Sequence, residues 1–240
     1  MNPTQTGNNH PFITLSVNPH PCAQRDYVLI IDKSGSMAHP DMPNGQTRWK
    51  AAEETVYALA AKVFEFDPDG LDVWLFSNNN RCYRNVRPER VQQVFQENEP
   101  CGGTAMAEVL KNAFDEYFTK RDAGKAKPNG EAIFVITDGE PDNKEAVIST
   151  IVGASLRLRA TDNLAVHFVQ VGNDPVSTQF LKTLDEDLVS KHKITYDFIK
   201  TIKIGDLENQ GITQTILNLI SETARSKMAP AAQPQFINFI

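Results

Sequence analysis

Two kinds of apolar pattern alternate along this chain, and that alternation limits its fold more than any single residue does. Tyr27–Asp32 (YVLIID), Leu71–Ser77 (LDVWLFS), Ala132–Thr137 (AIFVIT) and Leu164–Val171 (LAVHFVQV) are short, nearly continuous apolar runs. A strand with one wet face alternates apolar and polar residues, so runs without that alternation read as strands buried on both faces. Ile194–Ile199 (ITYDFI) is a further strand by the same pattern, and Arg81–Asn85 a short edge strand.

The segments between them repeat every three to four residues. Thr47–Phe66 aligns Trp49, Ala52, Val56, Leu59, Ala60 and Val63, and Ala105–Lys120 aligns Met106, Val109, Leu110, Ala113, Phe114 and Tyr117. Asn143–Ala160 follows Asp142, which reads as its N-cap with Glu145 three residues on. Ser177–Val189 and Glu208–Arg225 are two more amphipathic helices. Strands alternating with helices predict an α/β fold: a central, mostly parallel sheet flanked by helices on both faces. In such sheets ligands gather at the carboxyl ends of the strands.

The alternation covers residues 26–226. Residues 1–25 precede it and contain Phe12–Val17 (FITLSV), an added strand or a docking arm; 227–240 is an Ala/Pro-rich tail with an apolar end, expected to dock on its own domain or, as the alternative, on a partner. A chain of 240 residues, 40% hydrophobic and 22% charged, is long enough for one such domain with a proper core. The net charge of −6 argues against general nucleic-acid or anionic-membrane binding, both of which need a positive footprint. Arg81, Arg84, Arg87 and Arg90 form the one local basic stretch, read as a solvated loop and helix start. Cys22, Cys82 and Cys101 are too few and too scattered for a disulfide framework or a CxxC zinc site. With no secretion signal and no apolar run of membrane length, the expected location is the cytoplasm.

Three short motifs carry chemistry. The first strand ends in Asp32-Lys33-Ser34-Gly35-Ser36, a later one in Thr137-Asp138-Gly139, and Cys101-Gly102-Gly103-Thr104 opens the helix between. On one rim of a parallel sheet Asp32, Asp138, Ser34, Ser36 and Thr104 supply two carboxylates and three hydroxyls, with no imidazole or thiolate among them. A set of hard oxygens suits Mg²⁺, or alternatively Mn²⁺ or Ca²⁺, and not Zn²⁺ or copper. It is too sparse to enclose an ion, so it predicts an open coordination position facing solvent. Asp32, Ser34 and Ser36 are alternate residues of a tight turn, Gly35 lets it bend, and Thr104 can also cap the following helix. Each motif alone is common turn chemistry; the three together, in this order, are not.

Asp32, Ser34, Ser36, Thr104 and Asp138 resemble the DxSxS…T…D metal-ion-dependent adhesion site of the von Willebrand factor type A (VWA) family. The resemblance runs from about Asp26 to Arg225 and is nearest the intracellular prokaryotic and fungal members. It implies a Rossmann-like three-layer sandwich. It also implies Mg²⁺ held directly by Ser34 and Ser36, with Asp32, Thr104 and Asp138 binding directly or through water. A partner protein's Asp or Glu would complete the coordination, and in some relatives ligation moves the last helix, here about Glu208–Arg225. Ala105, where many relatives have an acid or amide, and Lys33 depart from the pattern.

The function expected on these grounds is metal-dependent recognition of an acidic residue on a partner protein, without catalysis. The alternatives are a Mg²⁺-dependent phosphoester hydrolase or a structural scaffold with an empty site. An open Mg²⁺ site can activate water, but no His or extra carboxylate falls in the three loops to act as base. His39 reads as solvated, Asp142 as a helix cap and His167 as a packed strand residue. There is no GxGxxG, GxxxxGK[ST] or GxSxG motif.

Overall fold

A computed structural model of the protein describes residues 22–159 and 163–206 and positions 214, 215 and 218. Six strands form one sheet: β1 (Asp26–Asp32), β2 (Leu71–Phe76), β3 (Asn80–Val86), β4 (Glu131–Thr137), β5 (Leu164–Gln170) and β6 (Ile199–Lys203). Their spatial order is β3-β2-β1-β4-β5-β6. Only β3 runs antiparallel, as an edge strand on β2; every other pairing is parallel. The helices are α1 (Arg48–Phe64), α2 (Pro88–Gln96), α3 (Met106–Asp122), α4 (Lys144–Arg157) and α5 (Pro175–His192). The expected α/β, Rossmann-like three-layer sandwich is therefore what forms.

The side-chain period of two along each strand separates two cores. Leu29 and Ile31 of β1 and Phe134 and Ile136 of β4 pack under α1 and α2, with Val56, Leu59 and Val63. Val28 and Ile30, with Ile133 and Val135, pack under α3, α4 and α5, with Leu110, Phe114, Ile151 and Leu184. β1, β4 and β5 face apolar layers on both sides, which is why their runs carry almost no polar residue. Among the described residues no helix is long and apolar enough to cross a membrane.

Several boundaries depart from the sequence expectation. The last strand is Ile199–Lys203 rather than Ile194–Ile199, because parallel pairing with β5 begins at Val166↔Ile199. Ile194 and Phe198 are buried all the same; the backbone of Phe198 meets β5 through its carbonyl, which accepts from Val166 N at 2.8 Å. Helix α2 lies where only a helix start was read. Its Pro88 at the first turn favours that start, and Trp49 of α1 stacks on its Phe95 with ring centroids 4.4 Å apart. Helix α4 is capped by Asn143, whose Oδ1 accepts from Ala146 N at 2.8 Å, and not by Asp142.

The arginines of the 81–90 stretch are spent within the domain. Arg81 and Arg90 lie over Tyr83, Arg87 over Phe64, and Arg84 pairs with Asp72 and Glu116. The strand read at Phe12–Val17 and the 227–240 tail fall outside the described residues. So does the helix read at Glu208–Arg225, apart from Gln214, Thr215 and Asn218, which are helical.

Candidate metal centre

The strand order reverses direction between β1 and β4, and a crevice opens at the carboxyl ends of strands at such a switch. Asp32 ends β1, and Asp138 follows the last residue of β4. The register Ile31↔Ile136 sets Asp32 beside Thr137. The two carboxylates therefore meet at the switch because both strands end there. Both are fully buried.

The 32–36 turn is organised by its own first residue. Asp32 Oδ1 accepts from the Ser34 N–H at 2.8 Å, while Oδ2 accepts from the Thr137 hydroxyl at 2.7 Å. Residues Gly35–Ala38 then form a single 3-10 turn. The hydroxyls of Ser34 and Ser36 lie 3.0 Å apart, and Ser36 Oγ donates to Asp138 Oδ1 at 3.0 Å. A chain of oxygens thus runs from Ser34 through Ser36 to Asp138, with Asp32 anchoring the turn.

The Thr104 loop is tied to the other two by main-chain bonds. Cys101 N donates to Lys33 O at 2.7 Å and Gly35 N to Gly102 O at 3.0 Å. Thr104 N donates to Asp142 Oδ2 at 2.9 Å, and Asp142 N returns a bond to Thr104 O at 3.1 Å. The glycines are needed for this closeness: a Cβ on Gly103 would lie 2.7 Å from Asp142 Oδ2, and Gly103 N reaches Asn78 Oδ1 at 2.6 Å. Thr104 does not cap α3; that position falls to Ala105, which makes no side-chain capping bond. The structure thus gathers all three motif loops on one rim.

The electrostatics of the rim leave room for a cation. Burial, reinforced by the charge of Asp138, pushes the Asp32 carboxyl up to about 6 despite hydrogen bonds from Thr137 and Ser34 that oppose the shift. Two buried carboxylates side by side repel unless a positive charge is shared between them. Arg48 meets part of that need through Nη1, 2.7 Å from Asp138 Oδ2. Among the described residues there is no cluster of three or more His, Cys, Asp and Glu side chains placed to hold a metal; the candidate donors are two carboxylates and hydroxyls. That set fits a hard divalent ion with open positions.

Four supporting residues escaped the sequence reading as such. Thr137 was visible as the neighbour of Asp138. Asn78, Asp142 and Arg48 carry no local signal, since each acts on a loop distant in sequence.

A family model of the von Willebrand factor type A domain matches residues 27–140. No curated protein matches the chain. Among solved structures, a von Willebrand factor type A protein from Catenulispora acidiphila superposes with a TM-score of 0.54 at 17% identity, over 84% of this chain and 43% of that one. The PilB minor pilin from Streptococcus sanguinis gives 0.52 at 12% identity, over 82% and 63%; its D319A mutant gives 0.52 at 11%, over 80% and 62%. The chain spans less than two thirds of each of these proteins, and at such identities the likeness is one of fold. Residues 27–140, which take in the 32–36 turn, Thr104 and Asp138, are thus similar in sequence to the von Willebrand factor type A domain, and the six-stranded α/β fold around them is similar to that of the solved von Willebrand factor type A protein.

Proposed function

We propose that this protein is a divalent-cation-dependent binding module that recognises an acidic side chain on a partner protein. VWA domains are commonly protein-interaction modules, which supports the coarser half of this reading. The observation that supports the finer half is the convergence of Asp32, Ser34, Ser36 and Asp138 in one chain of oxygens, buried except at the half-buried Ser36. In this reading Ser34, Ser36, Thr104, Asp32 and Asp138 hold Mg²⁺, or Mn²⁺ or Ca²⁺ in its place. The ion supplies an open coordination position that a carboxylate from the partner fills. The chain's own residues orient the oxygens: Thr137 and the Ser34 N–H fix Asp32, and Arg48 fixes Asp138.

Binding is favoured over phosphoester hydrolysis by where the candidate bases sit. Asp142 is engaged by the Thr104 N–H, His39 is exposed beyond the turn, and His167 is fully buried in β5 against Phe134. That Cys22, Cys82 and Cys101 are thiols and not disulfides fits a reducing compartment such as the cytoplasm.

Thermal unfolding of the wild type and of Asp32→Ala, in EDTA and then in millimolar Mg²⁺, Mn²⁺ or Ca²⁺, tests the reading. An ion that binds only the folded state stabilises it by about 2.7 kcal/mol at a hundred times its Kd. The wild type is expected to gain melting temperature with Mg²⁺ or Mn²⁺ and the variant not to. A wild type indifferent to all three ions removes the metal from the reading and leaves the scaffold. Generic phosphatase activity lost in Asp32→Ala would favour the hydrolase instead.

A further inference from the structure

Arg48 opens α1 and sends a guanidinium only 10% exposed beneath the rim. Nη1 donates to Asp138 Oδ2 at 2.7 Å. Nε donates to Asp41 Oδ1 at 2.9 Å, and Nη2 also donates to Asp41. The cation is therefore clasped between a buried carboxylate of the candidate centre and a carboxylate outside it that is 46% exposed. Its slot is built for it. Gly172, beyond the end of β5 at φ 75°, passes so near that a Cβ there would lie 3.1 Å from Arg48 Nε. A side chain at that point would press on the guanidinium, which would have to give by a few tenths of an ångström.

The geometry points to Arg48 as the residue that sets how tightly the centre holds a cation, by acting as a fixed counter-charge on Asp138. This rests on the metal reading above. Asp32, Asp138 and Arg48 together carry one negative charge, so a divalent ion bound among them would leave one positive charge in excess before the half-exposed Asp41 is counted. Metal held this way stays weak until an anionic ligand arrives, and the excess charge draws that ligand in. Asp41 works from the far side: it neutralises part of the Arg48 charge and so relieves the repulsion between Arg48 and the ion.

Arg48 and Asp41 should therefore move metal affinity in opposite directions. The measurement is isothermal titration calorimetry of the full chain with Mn²⁺ alone, at low ionic strength. Arg48→Met is expected to bind on the order of tenfold tighter, since it removes a unit charge from a poorly solvated position near the ion. Asp41→Asn is expected to bind roughly threefold weaker, its effect reduced by solvent screening. Arg48→Lys keeps the charge and loses the forked grip; it should stay within about threefold of wild type. A merely structural clasp would weaken binding when opened from either side, so opposite signs separate the two roles.

Circular dichroism in EDTA establishes that each variant folds. Should Arg48→Met not fold, Arg48→Gln, which also removes the charge but keeps a polar group in the slot, takes its place and is likewise expected to bind tighter than wild type. Weaker binding in Arg48→Met, or binding in Asp41→Asn that is unchanged or tighter, overturns the inference and leaves the metal reading standing. A wild type that takes up no Mn²⁺ overturns both.

Discussion

The two rims of the sheet both bury acids, and they neutralise them in opposite ways. At the amino-terminal rim Glu131 and Asp67 are almost fully buried, near Asp26 and Asp72. Two lysines answer them. Lys127 Nζ lies 2.6 Å from Asp67, 3.1 Å from Asp26 and 3.3 Å from Asp69, and Lys120 Nζ is 3.4 Å from Glu131. Long side chains from α3 and the loop beyond it fold over the rim and close the network from within. At the carboxyl-terminal rim the polar residues are short: Asp32, Ser34, Ser36, Thr104 and Asp138. Short side chains cannot cover the opening, and of these five residues Arg48 engages only Asp138, its other partner being Asp41 outside the set. The same fold thus makes one rim a finished ion-pair network and the other the candidate centre proposed to take an outside cation.

The strongest way to break this contrast is to open the closed rim. Lys127→Met leaves Asp67 buried without its nearest cation and is expected to cost about 3 kcal/mol, as for other broken buried pairs. Urea unfolding in EDTA and in Mg²⁺ should show the same loss. A loss that Mg²⁺ reverses would mean that the two rims are coupled through β1 and β4.

A second test uses pH. Burial, with the charge of Asp26 adding to it, pushes Glu131 up to about 7 even though Lys120 pulls the other way. Its ordinary value is near 4.5, so between 4.5 and 7 the folded state holds a proton that the unfolded state has released. The stabilisation from that proton is complete below about 4.5 and is lost as the pH rises through 7. Glu131→Gln should therefore gain on the wild type as the pH goes from 4.5 to 7, by on the order of 2–3 kcal/mol across the window. Denaturation in EDTA at several pH values measures it. A difference that does not change with pH would place the Glu131 proton elsewhere.

The smallest expected effect separates two adjacent residues. Asn143→Ala removes the α4 cap and should cost about 1 kcal/mol of stability with metal affinity untouched. Asp142→Ala should do the reverse, since its carboxylate holds the Thr104 loop and not the helix. Equal effects of the two on Mg²⁺ affinity would show that α4, and not the Thr104 loop alone, supports the open rim.

The strands that bury both faces were legible because a short continuous apolar run set between amphipathic helices reads as a strand covered on both sides. The motif loops were legible because strand ends in a parallel sheet fall on one rim. The sixth strand was misplaced because Ile194 and Phe198 have the pattern of a strand and the burial of one, while β5 offers its partners only from Val166 onward. The cap of α4 was misassigned for a related reason. Asp142 is a fitting cap residue by type, but a carboxylate 38 positions from Thr104 in sequence becomes its neighbour only when the strands align.

The sequence by itself determined the layer architecture and the five candidate oxygen donors, because apolar period and strand-end chemistry are local properties. Only the tertiary structure decided what stands behind those donors. Arg48 reaches Asp138 across 90 positions and Thr137 reaches Asp32 across 105, and charges that far apart in the chain interact only once the fold has taken water from between them.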